Sequence, residues 1–202
     1  MKIAVFMGGT SSEKEISLRS GEAVLESLQR QGYDAYGVVL DENNQVTAFL
    51  ENDYDLAYLV LHGGNGENGK IQAVLDILGK KYTGSGVLAS ALTMDKNKTK
   101  QIAENIGIRV PKSYRDLDSI ERFPVIIKPV DEGSSKGLFL CNNKEEAGEA
   151  LKKLRKPIIE DYIVGEELTV GVLNGKALGV LKIIPQADVL YDYDSKYAKG
   201  GS

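Results

Sequence analysis

The feature that most limits what this chain can fold into is a repeated local order: a short apolar run, a glycine-rich turn, then apolar residues at helical spacing. Residues 2–7 form such a run, Gly8-Gly9-Thr10-Ser11-Ser12 turns it, and Ile16, Val24, Leu25 and Leu28 recur at roughly helical spacing up to Gly32. Residues 36–40 and 56–61 read as further strands. The second of these enters a glycine-rich loop, 62–69, and a helix over 70–78 follows, closed by Gly79. Strands that alternate with helices line up in parallel, with helices over both faces, and such sheets bind ligands beyond the carboxyl ends of their strands. Both glycine-rich loops fall at such ends.

After Thr83-Gly84-Ser85-Gly86 the pattern changes. Two helical stretches, 87–93 and 96–106, lead to Val110-Pro111, which places a domain boundary near residue 90. Residues 124–128, 138–141, 158–162, 168–173 and 177–184 read as strands, with 143–154 helical between them. Asn143 followed three residues later by Glu146 predicts a capping pair at that helix start. Asn174-Gly175 between two apolar runs predicts a hairpin. The fold class is therefore α/β, a parallel-sheet domain over 1–90 followed by an α+β domain over 91–190. Residues 191–202 are polar and aromatic and resemble a functional loop.

Composition removes several function classes. A chain of 202 residues with 42% hydrophobic side chains can build one or two cores. A formal charge of -4 gives no broad basic surface for nucleic-acid phosphates. The apolar runs are too short to cross a bilayer and the first residues lead straight into a strand, so the expectation is a cytoplasmic protein with no membrane or nucleic-acid partner. One cysteine, Cys141, excludes an internal disulfide and a cysteine-rich zinc site and reads as a core residue. With His62 as the single histidine and no Gly-x-Ser-x-Gly elbow, a nucleophilic hydrolase is a poor fit.

Several local patterns carry chemistry without settling it. Gly64 to Lys70 has most of a Walker A loop, but Ile71 stands where the metal-holding Ser or Thr is required. A glycine-rich turn before a helix explains the spacing equally well. Gly8-Gly9-Thr10 lacks dinucleotide spacing. Glu13 beside it is either a solvated helix-start acid or a holder of a substrate ammonium. Asp131-Glu132-Gly133-Ser134-Ser135-Lys136-Gly137, between two strands, has the small and hydroxyl residues of a phosphate-covering loop. Lys128 ends the apolar strand before it, placed to put a point charge on a phosphate or to reach water. Glu160 and Glu166-Glu167 sit at strand ends, placed for an adenine amino group and a ribose hydroxyl or for solvent.

Taken together and in order, these residues resemble the D-alanine:D-alanine ligases, members of the ATP-grasp enzymes, over essentially the whole chain. Four blocks carry the resemblance: Gly8 through Ser17; Leu61-His62-Gly63-Gly64-Asn65-Gly66-Glu67-Asn68-Gly69; Tyr82-Thr83-Gly84-Ser85-Gly86 through Met94-Asp95-Lys96; and Ile127-Lys128-Pro129 through Gly137. The resemblance implies a Rossmann-like, pre-ATP-grasp domain followed by an ATP-grasp subdomain. It further implies ATP-dependent joining of two D-alanines through an acyl phosphate, for peptidoglycan precursors.

The resemblance also implies roles. Glu13 would bind the ammonium of the first D-alanine, supported by Ser17 and His62, and Ser134 would help fix Glu13 and the loop above the site. Lys96 and Lys128 would contact ATP phosphates, with Ser135 adding a loop contact. Glu160 and Ile163 would line the adenine and hinge region, and Glu167 the ribose. Lys196 and Tyr197 match a mobile active-site loop over 191–202, the tyrosine implying D-alanine over D-lactate. Asp161 stands where many relatives carry lysine. Relatives continue beyond Ser202 with an arginine and the Mg²⁺ ligands, so no metal ligand is assigned within the chain, and the chain alone is expected to be inactive. A homodimer through the amino-terminal domain is implied as well. Other readings are another ATP-grasp carboxylate:amine ligase, a shortened nucleotide- or ligand-binding module, and a P-loop nucleotidase.

Overall fold

A computed structural model of the chain describes residues 1–184. The chain divides into two compact units, Met1–Ile102 and a second beginning at Ala103.

The first unit is built on four parallel strands: β1 (Lys2–Gly8), β2 (Asp34–Leu40), β3 (Leu56–Leu59) and β4 (Lys81–Tyr82), in the order β2-β1-β3-β4. Alternation along β1 sends Ala4 and Phe6 to one face and Ile3, Val5 and Met7 to the other. Both sets are buried, which is why β1 is apolar without interruption. Helix α1 (Lys14–Arg30) covers the face of Met7, laying Leu18, Val24, Leu25 and Leu28 on it. Gly21 lets it approach, since a β-carbon there would lie 2.5 Å from Met7 Cβ. The opposite face packs on α2 (Thr47–Glu51) and α3 (Lys70–Ile77). At its centre the Phe6 ring lies 4.4 Å from Phe49 and 5.2 Å from Tyr54 between centroids. Helices α4 (Val87–Met94) and α5 (Lys96–Asn105) follow.

The second unit has an antiparallel sheet of β5 (Ser113–Tyr114), β6 (Val125–Pro129), β7 (Phe139–Cys141) and β8 (Pro157–Asp161), in the order β5-β8-β6-β7. Val125, Ile127, Cys141 and Ile159 form its core with Ala147 and Ala150 of α6 (Lys144–Lys153). Cys141 is buried there, and that burial pushes its thiol up from its ordinary value. A separate hairpin, β9 (Glu167–Leu173) and β10 (Lys176–Ile183), closes through Asn174-Gly175, both with positive φ, and carries an irregularity between Ala177 and Val180.

The strands and helices expected from periodicity are present, and the helix start at Asn143 is capped as predicted: Glu146 N–H donates to Asn143 Oδ1 at 2.9 Å. The reciprocal bond differs. Glu146 accepts at 2.8 Å from the backbone N–H of Asn142, one residue earlier than a standard capping box uses. Strand β3 stops at Leu59 rather than at residue 61. The elements that periodicity did not reveal are α2, β4 and β5, of five, two and two residues, and two three-residue 3-10 turns at Gly64–Gly66 and Leu117–Ser119. None is long enough to display a repeat. Among the described residues no helix is long and apolar enough to cross a membrane.

Candidate active-site residues

In the first unit the chain crosses from β1 to β2 on one side and to β3 on the other. The carboxyl ends of β1 and β3 therefore flank the crevice where the strand order reverses, the usual ligand position in such sheets. The loops 8–11 and 61–66 meet there around a small open cleft, with Leu40, Gln45 and Ile71 completing its wall.

Glu13, Ser17 and His62 are brought together at this edge. Ser17 is fully buried; its hydroxyl donates to Val60 O at 2.5 Å and accepts from Gly8 N–H at 2.8 Å, tying the ends of β1 and β3. Its one proton is thus used inside the fold, which leaves one acceptor lone pair on the hydroxyl. Glu13, 5% exposed, precedes α1. Its Oε2 lies 2.6 Å from where a β-carbon on Gly63 would be, so the carboxylate rests in space that a larger residue at 63 would fill. Ser11 bridges the two loops, donating to His62 O at 2.5 Å and accepting from Glu13 N–H at 3.1 Å. The His62 ring has Nδ1 3.9 Å from Glu67 Oε1, while its Nε2 is buried without a hydrogen-bond partner. A ring nitrogen so placed has capacity for one further bond. The Walker A alternative fails here: Ile71, at the position that must hold a metal, is buried in the core beside Leu75.

Lys96 begins α5, whose start is capped by Asp95 Oδ1 accepting from Asn97 N–H at 2.9 Å and Lys98 N–H at 3.1 Å.

In the second unit Lys128 on β6 and Glu160 on β8 form an ion pair, Nζ to Oε2 2.6 Å. The register places Ile126 opposite Glu160 and Lys128 opposite Ile158, so the pair is a diagonal one on a single sheet face. The glutamate side chain is 4% exposed and the lysine 26%. A buried carboxylate fixes the ammonium, which has two further protons to donate. After β6 the chain makes a tight turn in which Ser134 (φ 51°) and Ser135 (φ 55°) are left-handed, with Lys136 N–H donating to Gly133 O at 3.2 Å. Consecutive non-glycine residues in that region are uncommon and cluster at ligand clamps. Ile163 is exposed just past β8, and Glu167 is exposed at the start of β9. Lys196 and Tyr197 lie outside the described residues.

The sequence reading gave no role to Ser11, Gln45 or the partners of Asp161. Ser11 lies in the glycine-rich turn after β1; the others carry no local signal. Gln45 Oε1 accepts from Asn65 Nδ2 at 2.8 Å across the cleft. Asp161 accepts from the Tyr114 hydroxyl at 2.6 Å and from Arg122, which hold its carboxyl below the usual range.

The family model described as "D-ala D-ala ligase N-terminus" matches residues 2–50 and 44–85, and that described as "D-ala D-ala ligase C-terminus" matches 81–202. The chain belongs to the D-alanine–D-alanine ligase family. It is 88% identical over 202 residues to the D-alanine–D-alanine ligase of Fusobacterium nucleatum, covering all of this chain and 70% of that protein. It is 42% identical over 213 residues to the ligase of Aquifex aeolicus, covering 72% of it. The D-alanine–D-alanine ligase of Bacillus anthracis superposes with a TM-score of 0.82 at 34% identity, over 90% of this chain and 64% of that one. The same enzyme complexed with ATP gives 0.80 at 33%, over 91% and 66%. The chain thus spans about two thirds of the length of the ligases it matches. Its mixed α/β architecture with an amino-terminal parallel sheet is that of these ATP-grasp ligases.

Among the described residues no group of three or more His, Cys, Asp or Glu side chains stands close enough to hold a metal ion. The described residues thus offer no all-protein cage for a magnesium ion.

Proposed function

We propose that the protein joins two D-alanines at the expense of ATP. The γ-phosphoryl group passes to the carboxylate of the first D-alanine, giving an acyl phosphate and ADP; the amine of the second attacks the acyl carbon, and phosphate leaves. The observation that carries the nucleotide half is the Lys128–Glu160 pair, a lysine held on a sheet face six residues before a turn that bends at Ser134 and Ser135. A fixed ammonium offsets the negative charge spread over the transferring phosphoryl without reorganising when the reaction occurs. Lys96 is assigned to the same phosphates, Ser134 and Ser135 to the loop over them, Glu160 and Ile163 to the adenine, and Glu167 to the ribose. Glu13 holds the ammonium of the first D-alanine, His62 Nε2 adds a contact, and Ser17 and Ser134 act in support. Lys196 and Tyr197 belong to a loop that closes over the acyl phosphate and excludes water.

This reading treats residues 1–90 as the D-alanine-binding domain and as the homodimer surface, 91–190 as the nucleotide-binding part and 191–202 as the beginning of the closing loop. Mg²⁺ ligands and the remaining charge come from beyond Ser202. The product enters peptidoglycan precursor synthesis in the cytoplasm, and the 202-residue chain alone does not ligate.

The test is ADP release from Mg-ATP with and without D-alanine, on the product of the complete reading frame and on the present chain. Turnover that requires D-alanine in the former only, and that Lys128→Ala removes while Lys70→Ala leaves it, is the expected result. Turnover indifferent to D-alanine would move the assignment to another carboxylate:amine ligase.

A further inference from the structure

We propose that Asp161 is a positioning residue for the adenine-binding segment, acting from the sheet face opposite the nucleotide. The proposal rests on the assignment of Glu160 and Ile163 to the adenine. Neighbouring residues on a strand point to opposite faces, and β8 ends on two carboxylates that do so. Glu160 turns to Lys128. Asp161 turns to the α6 side, where it is 5% exposed and both its oxygens are used: Oδ1 by the Tyr114 hydroxyl at 2.6 Å, Oδ2 by Arg122 Nη2.

These partners come from both flanks of β8. Tyr114 lies on β5 and Arg122 on the segment that leads into β6. The backbone repeats the arrangement: Asp161 N–H donates to Lys112 O at 2.9 Å and Tyr162 N–H to Pro124 O at 3.4 Å. The strand is therefore held at its last residue from two sides and through side chain and main chain together. Beyond it, residues 162–166 leave the sheet with Ile163 and Val164 exposed. An adenine recognised at that exit reads the placement of residues 160–163, so a device that fixes 161 sets the placement without contacting the base. Charge-assisted bonds suit this because they are shorter and stronger than neutral ones.

The test measures affinity for ATP, GTP and inorganic tripolyphosphate by calorimetry on the full-length protein and its Asp161→Asn, Arg122→Met, Arg122→Lys and Tyr114→Phe variants, with a melting curve for each. Asparagine keeps the shape of the carboxylate and one acceptor, which preserves folding. The expected result is that D161N and R122M bind ATP roughly tenfold more weakly, as for one lost charge-assisted hydrogen bond. Tripolyphosphate binding stays unchanged, the preference for ATP over GTP narrows, and R122K recovers most of the loss. Parallel loss of all three ligands would show a structural role only and overturn the proposal, as would D161N binding ATP like the wild type. A wild-type protein that binds tripolyphosphate but shows no preference for an adenine nucleotide would overturn the adenine assignment as well.

Discussion

At Gly63 a β-carbon would stand 2.6 Å from Glu13 Oε2 and 3.3 Å from Ser11 Oγ, on a backbone with φ of 66°. Gly63→Ala therefore meets steric and conformational resistance together. It should displace the Glu13 carboxylate while leaving the sheet intact, with a stability loss of about 1–3 kcal/mol. In the full-length ligase the KM for the first D-alanine should rise at least several-fold with little change in the KM for ATP, which steady-state kinetics would separate. Glu13 was legible in the sequence as an acid beside a turn. Its neighbour was not, because Gly63 lies 50 residues away along the chain and only the β1–β3 pairing brings the two loops to one edge.

At the scale of elements, helix α6 offers the cleanest measurement, since its cap is local and exposed. Asn143→Ala removes the acceptor of Glu146 N–H and should cost about 1 kcal/mol in urea unfolding, without altering nucleotide affinity. The same locality decided what the sequence could disclose. Residues 143 and 146 lie within one helical turn, and 174 and 175 within one hairpin, so their types announce their geometry. The long parallel strands and α1 announce themselves by periodicity. Two-residue β5 has no repeat to display, yet it supplies Tyr114 to a carboxylate 47 residues away. Lys128 and Glu160 were each legible as strand-end charges, but their pairing required the β6–β8 register, which no single strand encodes.

At the scale of the whole chain, pH acts on the two units through different groups. Burial pushes the Tyr54 phenol in the first unit from 10.0 up to about 12. The stability it contributes is intact below pH 10 and is lost as pH rises toward 12, because the unfolded chain ionises first. Asp161 in the second unit is depressed, chiefly by Arg122 and then by Tyr114. Its contribution is complete above the ordinary carboxylate value, about 3.9, and is lost as pH falls through the lower folded one. Urea midpoints should thus fall at both extremes, Tyr54→Phe flattening the alkaline limb and Asp161→Asn the acid one. Between those limits the β9–β10 ribbon is the feature most exposed to its surroundings among the strands of the described residues. Leu168, Val170, Val172 and Val180 are exposed on one side of it and Leu173 and Leu181 on the other. Among the described residues the ribbon pairs with no further strand, and apolar side chains on both broad sides promote association that a net charge of -4 over 202 residues opposes only weakly. Apolar side chains exposed on both broad sides favour contact between copies, so the apparent size of the 202-residue chain should grow with protein concentration, which sedimentation across a dilution series would check.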